Sequence, residues 1–399
     1  MKRILNRELV SVIAIVSMAS LTMSVLNPVM PLYLTSIGIT PAMIGFMSSL
    51  AMVGMVFGES AGGWLADNVG IRIPLGIGTL FCTPMLLLFT FTQNVPFIFT
   101  LFLGWGIVRA GVFGPGRGYI GKTVPLTYKA TYLAVYTAAM SVSRSIGSFV
   151  GGLVGERLGY DYNFYFAAGI ALVGGLLVIF ALRKIPFNNP TPPSPVAPGA
   201  VNTRVKAPYR SRAFISQCAI ATVSWLPIGV VGSFLPLLAA DVAKVKETEI
   251  GLLFTISSLV GAALIIPLGR MSDRRNKKTM MMIGLIVTAA GIAWIAIAGS
   301  YGEFVAALIV ESIGQAIFGP AAVALLSETV PQNWQGTAMG VYGGFEDLGV
   351  VIGSALAGIV WENLGPESAF LMLGAAPPAL AALMALMLLK NRKIQASTS

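Results

Sequence analysis

The 399-residue chain is 56% hydrophobic and only 11% charged, with a mean hydropathy of +0.81. A soluble domain carries about 25% charged residues, so polar groups cannot cover this surface and most of it must face lipid. Histidine is absent and the formal net charge is +10. The first fact removes the commonest metal ligand and proton shuttle, and the second has a meaning only once the positive residues are placed.

Segments that cross a bilayer as helices need about 20 apolar residues. In chain order they fall at 9–36, 41–66, 71–92, 96–119, 130–155, 162–182, 213–239, 247–268, 279–299, 303–327, 336–360 and 368–389. The first is longer than a secretory signal and runs on into further spans, so it reads as a retained anchor. Cys82 and Cys218 each sit inside an apolar run, which argues against a structural disulfide. Between spans six and seven lies the proline-rich RKIPFNNPTPPSPVAPGAVNTRVKAPYRSR, the composition of an extended linker. The expected division is 1–182 as one six-helix half, 183–212 as linker and 213–399 as the second half.

Arg109 and Arg144 fall inside spans, and Arg157, Lys244 and Lys246 flank one side of the membrane. Every other Lys and Arg falls on the side of the N-terminus. Positive residues concentrate on the cytoplasmic side, so both termini are expected there, in the inner (plasma) membrane. The +10 charge is then a topology signal facing anionic lipid, and nucleic acid is not an expected partner.

The halves repeat each other. Ile44-Gly45 matches Ile250-Gly251, Asp67 matches Asp273, and Thr123-Val124-Pro125 matches Thr329-Val330-Pro331. Val135-Tyr136 matches Val341-Tyr342, Gly147-Ser148 matches Gly353-Ser354, and Glu156-x-Leu158-Gly159 matches Glu362-x-Leu364-Gly365. Every pair is 206 positions apart. Duplicated halves related by an axis along the membrane normal are a transporter design.

The loop after span two reads GWLADNVGIR (63–72) and the loop after span eight reads GRMSDRRNKK (269–278). Both resemble the signature loop of the major facilitator superfamily, G-x-L-x-D-[RK]-x-G-[RK]-[RK]. The first copy departs at Asn68 and Ile71, the second at Met271 and Asn276. The resemblance covers the whole chain. It implies an all-α membrane protein of the superfamily fold, with 12 transmembrane helices in two pseudo-symmetric six-helix halves that rock in alternating access. It also implies a conformational latch of Gly63, Asp67, Arg72, Gly269, Asp273, Arg274, Lys277 and Lys278, with Asp67 facing the start of span eleven near Gly336.

Residues 116–123, GRGYIGKT, match the phosphate-cradling pattern G-x-x-x-x-G-K-[ST], and their first six match G-x-G-x-x-G. A nucleotide site needs a strand before such a loop and a helix after it. Here an apolar helix precedes and Val124-Pro125 follows, and the repeat-equivalent AVALLSET (322–329) keeps almost none of the pattern. Its glycines are expected to serve helix packing.

Ionisable groups inside spans are functional candidates. Six qualify: Glu59, Arg109, Arg144, Glu311, Glu346 and Asp347. None lies well inside spans three, six, nine or twelve, which the resemblance makes peripheral. At about 1.5 Å of rise per residue, Glu59 lies about 12 Å deep, Arg109, Glu346 and Asp347 about 15 Å, and Arg144 and Glu311 about 22–24 Å. Two layers of pairing are expected, Glu59/Arg109/Glu346/Asp347 and Arg144/Glu311. Glu346 and Asp347 point about 100° apart on a helix, so one of them is expected to face the cavity. Static ion pairs that fix helix packing are the alternative role. Fully ionised, the six sum to −2, which favours cations, protons or neutral amphiphiles. Tyr33, Trp105, Phe113, Tyr136, Trp225, Phe318 and Tyr342, with Asn27 and Gln315, are the expected cavity lining.

Arg109 resembles the span-four arginine of proton-coupled members, with its glycines placed differently. Residues 147–152, GSFVGG, are similar to the antiporter motif G-P-x-x-G-G with serine for proline, and NPVMPLYLTSIGITPAMIGFMSS (27–49) is similar to drug exporters. The function these imply is proton-coupled efflux of hydrophobic or cationic compounds. The alternatives are transport of a specific metabolite (a sugar, organic anion or lipid) and a sensor built on a transporter fold. No nucleophile–base set or metal cluster points to an enzyme. Expected partners are the substrate, protons or sodium, and lipid. No cofactor or metal is expected, and the chain is expected to act as a monomer.

Overall fold

The computed structural model describes residues 7–124, 126–182, 211–330 and 335–396. The elements in order are α1 (Arg7–Leu26), α2 (Met30–Ser36), α3 (Pro41–Asn68), α4 (Arg72–Leu80), α5 (Cys82–Phe91), α6 (Val95–Thr123), α7 (Leu126–Leu158) and α8 (Tyr160–Ala181). The second half holds α9 (Arg212–Val242), α10 (Glu247–Arg274), α11 (Lys277–Ile297), α12 (Tyr301–Thr329), α13 (Gln335–Leu364) and α14 (Pro366–Ala369). It closes with a π-helical turn, Phe370–Ala375, and α15 (Ala376–Ala396). All twelve expected spans are helices. Spans one, three and twelve are broken, at Asn27–Val29, at Phe81 and by the π-helical turn.

The helices start where capping residues stand. Asn94 accepts from the Phe97 amide (3.1 Å), Ser211 from Phe214 (3.1 Å) and Asn276 from Lys278 (3.1 Å). These side chains satisfy amides that no helical carbonyl reaches. Between caps the helices bond their own backbone, as lipid requires. Eleven are long and apolar enough to cross a membrane. The remaining span, α7, is 33 residues long but carries Arg144 among Ser141, Ser143, Ser145 and Ser148, and this polarity belongs to a helix turned towards protein. The 183–212 linker, apart from Ser211 and Arg212, lies outside the described residues.

Each half packs about its own core. One apolar cluster joins α1, α6, α7 and α8 through Val12, Ile15, Ile120, Tyr136 and Val178. Two more lie wholly in the second half, around Phe318 and Tyr342. A fourth cluster crosses between the halves, uniting Leu34, Ile44 and Met47 with Ile250, Leu253 and Ala357. It lies at the ends of the helices away from the basic loops.

The GRGYIGKT segment continues α6 as helix, with no strand among the described residues. A Cβ on Gly116 would come within 2.8 Å of Val16 Cγ2 and 3.2 Å of the Tyr136 hydroxyl, whereas one on Gly118 would meet open space. Gly116 is therefore a packing glycine and Gly118 is not. Replacing Gly116 by Val is expected to destabilise the protein by about 1–3 kcal/mol through overpacking. Gly118→Ala is expected to stabilise it by about 0.5–1 kcal/mol, the cost of glycine in a helix interior. Thermal unfolding in detergent reads both, and loss of stability in both variants would contradict the assignment.

Candidate functional site

The halves meet along two helix pairs, α3 with α13 and α7 with α10. The meeting points repeat at the same 206-residue offset as the sequence. A Cβ on Gly45 would stand 2.3 Å from the Ser354 carbonyl oxygen, and one on Gly251 would stand 2.4 Å from that of Ser148. A Cβ on Gly358 would meet the Pro41 carbonyl oxygen at 2.5 Å, and one on Gly152 the Glu247 carbonyl oxygen at 2.2 Å. Ser49 donates its hydroxyl to the Val351 carbonyl (2.7 Å), and Thr255 donates to that of Ser145 (2.9 Å). Backbones approach this closely only where side chains are absent. All these contacts lie in the half of each helix away from the basic loops, and they shut that face.

Towards the basic loops the same helices part. The contact stripe continues at helical spacing through Ser60 on α3, Thr137, Ala138 and Arg144 on α7, and Gly340 and Gly344 on α13, and all six are exposed. Gly63, Gly340 and Gly344 have no atom within 4 Å of an added Cβ. The molecule is open at its basic face and closed at the other.

The six intramembrane charges do not pair with one another. Among the described residues no ion pair joins any two of the six, and the two expected layers do not form. Arg109 is buried, 9% exposed, in the first half. Its guanidinium lies 4.6 Å from the Trp105 ring centroid and 3.7 Å from the sulfurs of Met52 and Met55. Its Nε has no partner. It borders a small cavity with Met18, Thr22, Thr79 and Cys82, so it faces the interior of its own half. Cation–π contact, worth about 0.5–2 kcal/mol, takes the place of the expected carboxylate. Arg144 donates to Ser141 (3.4 Å), and Glu311 has Ser312 at 3.5 Å and Gln315 as polar neighbours.

One cation was missed as a site residue. Arg117, read from sequence as a loop-side charge, is exposed on α6, two turns beyond Arg109. It lies within electrostatic range of Glu59, Tyr136, Arg144, Glu346 and Asp347. Counting it changes the charge of the group from −2 to −1. Asp347 continues the α13 stripe that meets α3, and Glu59 is among its electrostatic neighbours. Glu346 turns towards α9, beside the indole of Trp225.

The expected lining divides. Tyr33, Trp105, Phe113, Tyr136, Phe318 and Tyr342 are buried in the helix cores. Tyr33 donates to the Phe89 carbonyl (2.8 Å) and Tyr136 to that of Phe113 (3.1 Å). Their hydroxyls found backbone acceptors between helices, so packing claims them. Asn27 is exposed at the break in span one, and Trp225 and Gln315 are part-exposed.

The latch residues hold their own halves here. Arg72 donates to the Ile179 carbonyl (3.4 Å) at the end of α8, where the helix dipole favours a cation, and Lys277 pairs with Glu328. Asp67 is exposed at the end of α3. A Cβ added to Gly63 would meet open space, and one added to Gly269 would stand 3.9 Å from Pro320. Lys278 donates its amide to Asn276. Asp273, Arg274 and the expected Asp67–Gly336 contact lie outside the described side chains.

A profile of the Major Facilitator Superfamily matches residues 12–228 and 213–399. The chain belongs to this superfamily. It is 23% identical over 339 residues to an uncharacterized MFS-type transporter of Methanocaldococcus jannaschii, covering 85% of this chain and 87% of that protein. It is 23% identical over 346 residues to Multidrug resistance protein 1 of Bacillus subtilis, covering 86% and 87%. Among solved structures, a mutant of the nucleoside transporter NupG superposes with a TM-score of 0.79 at 14% identity, covering 96% and 99% of the two chains. An inward-facing, occupied bacterial homologue of the lysosomal transporter Spinster gives 0.74 at 12% identity, covering 95% and 94%. These likenesses make the chain a transporter and not an enzyme.

The glycine contacts are testable. Oxidative cross-linking of Ser49→Cys with Val351→Cys is expected to be efficient in the native background. It should be lost when Gly45→Val forces α3 and α13 towards the about 8–10 Å axial separation of ordinary helix pairs. Unchanged cross-linking would show that the approach does not depend on glycine.

Proposed function

We propose that this transporter exports hydrophobic or cationic small molecules in exchange for protons. The observation that carries the reading is the set of carboxylates bordering the opening. Glu59, Glu346 and Asp347 stand there without an ion-pair partner among the described residues and have Arg117 as a common electrostatic neighbour. A carboxylate whose solvation and distance to a cation change between two states changes its proton affinity. Rocking of the halves alters both for these three groups. With histidine absent, they and Glu311 are the proton carriers. The net negative opening suits cations, and the partly exposed Trp225 offers an aromatic face.

The basic loops face the cytoplasm in this reading, so the open face is the inner one and the structure is inward-open. The likeness to a multidrug resistance protein over most of both chains and the partial one to a tetracenomycin C resistance and export protein support drug export. Arg117 and Arg144, both exposed in the opening, favour a second reading, transport of one anionic metabolite.

Purified protein in liposomes with an imposed pH gradient tests this. Lumenal pH is followed while lipophilic cations, neutral drugs, sugars and organic anions are added. Substrate-driven proton release is expected with the cations or neutral drugs, and it should be abolished by Glu346→Gln with Asp347→Asn. A response confined to an organic anion would replace this reading with the second. Drug-driven release that survives in the double variant would remove these two carboxylates from coupling.

A further inference from the structure

The shut face carries a second kind of contact, and it also repeats at 206 residues. The α7 helix ends at Leu158 and α13 at Leu364, because Gly159 (φ 96°) and Gly365 (φ 88°) follow in the left-handed region that glycine tolerates. Each stop leaves a glutamate in the last turn, Glu156 on α7 and Glu362 on α13. A carboxylate there opposes the dipole of its own helix, so its position calls for a partner elsewhere.

The partner in both cases is the start of a helix from the other half. Glu362 accepts from the amide of Ala42, the second residue of α3 (3.2 Å). Glu156 lies beside Thr248, the second residue of α10. It also pairs with Lys246 at 3.2 Å. Lys246 is the N-cap residue of α10, so this ion pair seats the Glu156 carboxylate at the start of that helix. Around this contact Glu249 accepts from the Lys246 amide (2.9 Å), and Glu247 accepts from the Tyr160 hydroxyl of the first half (2.9 Å). Ala42 and Thr248, like Glu156 and Glu362, are 206 positions apart.

We propose that Glu156 and Glu362 are paired positioning residues of the transport cycle, a two-point clasp in which each half's carboxylate caps a helix of the other and holds this face shut. Both caps must release before the face opens. Until then, the glycine contacts below them cannot separate by rocking. A clasp on both sides of the pseudo-axis resists rotation about either contact, which one cap could not do. This inference rests on the fold and is independent of substrate and coupling ion.

Spin-label distance measurements on the full chain, with Cys82 and Cys218 replaced by Ala, read it without substrate. One label pair, Ser36→Cys with Asp241→Cys, spans the shut face, and a second, Asn68→Cys with Thr279→Cys, spans the open one. Glu156→Ala and Glu362→Ala are each expected to raise the population with the first distance lengthened by about fivefold, the scale of a lost helix cap. The double variant should show the product of the two effects, with the second distance shortening together with the first. Glu156→Lys should open the face like Glu156→Ala, and adding Lys246→Glu should restore closure, a rescue that mere packing would not give. The double variant keeping the native distances while folded would overturn the clasp. So would a double variant no different from one of the singles, or failure of the charge swap to restore closure.

Discussion

Everything in this molecule depends on how closely four helix backbones approach at one face. Two pairs, α3 with α13 and α7 with α10, touch through glycine against a carbonyl oxygen and through a hydroxyl donated across the gap. Lipid supplies no hydrophobic drive between helices, so close packing and interhelical hydrogen bonds must hold them. These contacts end where glycine and small residues give way to open space. The opening at the other face is the geometric consequence, since rigid halves joined at one end diverge at the other.

The charges obey the same division. Residues with neighbours inside a half are satisfied there, as Arg109 is by Trp105 and two methionine sulfurs. Glu59, Glu346 and Asp347 border the opening and have no ion-pair partner among the described residues. Ionisable groups at membrane depth are costly as static structure, which makes these carboxylates functional candidates.

Much of this was legible in the sequence. Twelve apolar segments, two signature loops and the 206-residue repeat carried the fold class and the superfamily. Even the contacts that shut one face had been aligned as repeats, in Gly45 with Gly251, Ser148 with Ser354 and Glu156 with Glu362, without any sign that these residues meet. The aromatic lining was less legible. Hydropathy gives no rotation of a helix about its axis, and six of seven aromatics chosen for the cavity turned into the cores. Arg117 was misplaced for the opposite reason, because a charge near a helix end looks the same whether it faces the loop or the opening.

The sequence by itself determined that the chain crosses the membrane as two equivalent six-helix halves, since hydropathy, loop charge and internal repetition are local and additive along the chain. The tertiary structure decided which face is shut, that Arg109 stays within its own half while Arg117 comes within electrostatic range of the carboxylates, and that each half's terminal glutamate lands at the start of a helix of the other half. Those outcomes depend on how far apart the two halves stand and how each helix is turned. Both are fixed by packing between residues hundreds of positions apart, and no local pattern records them.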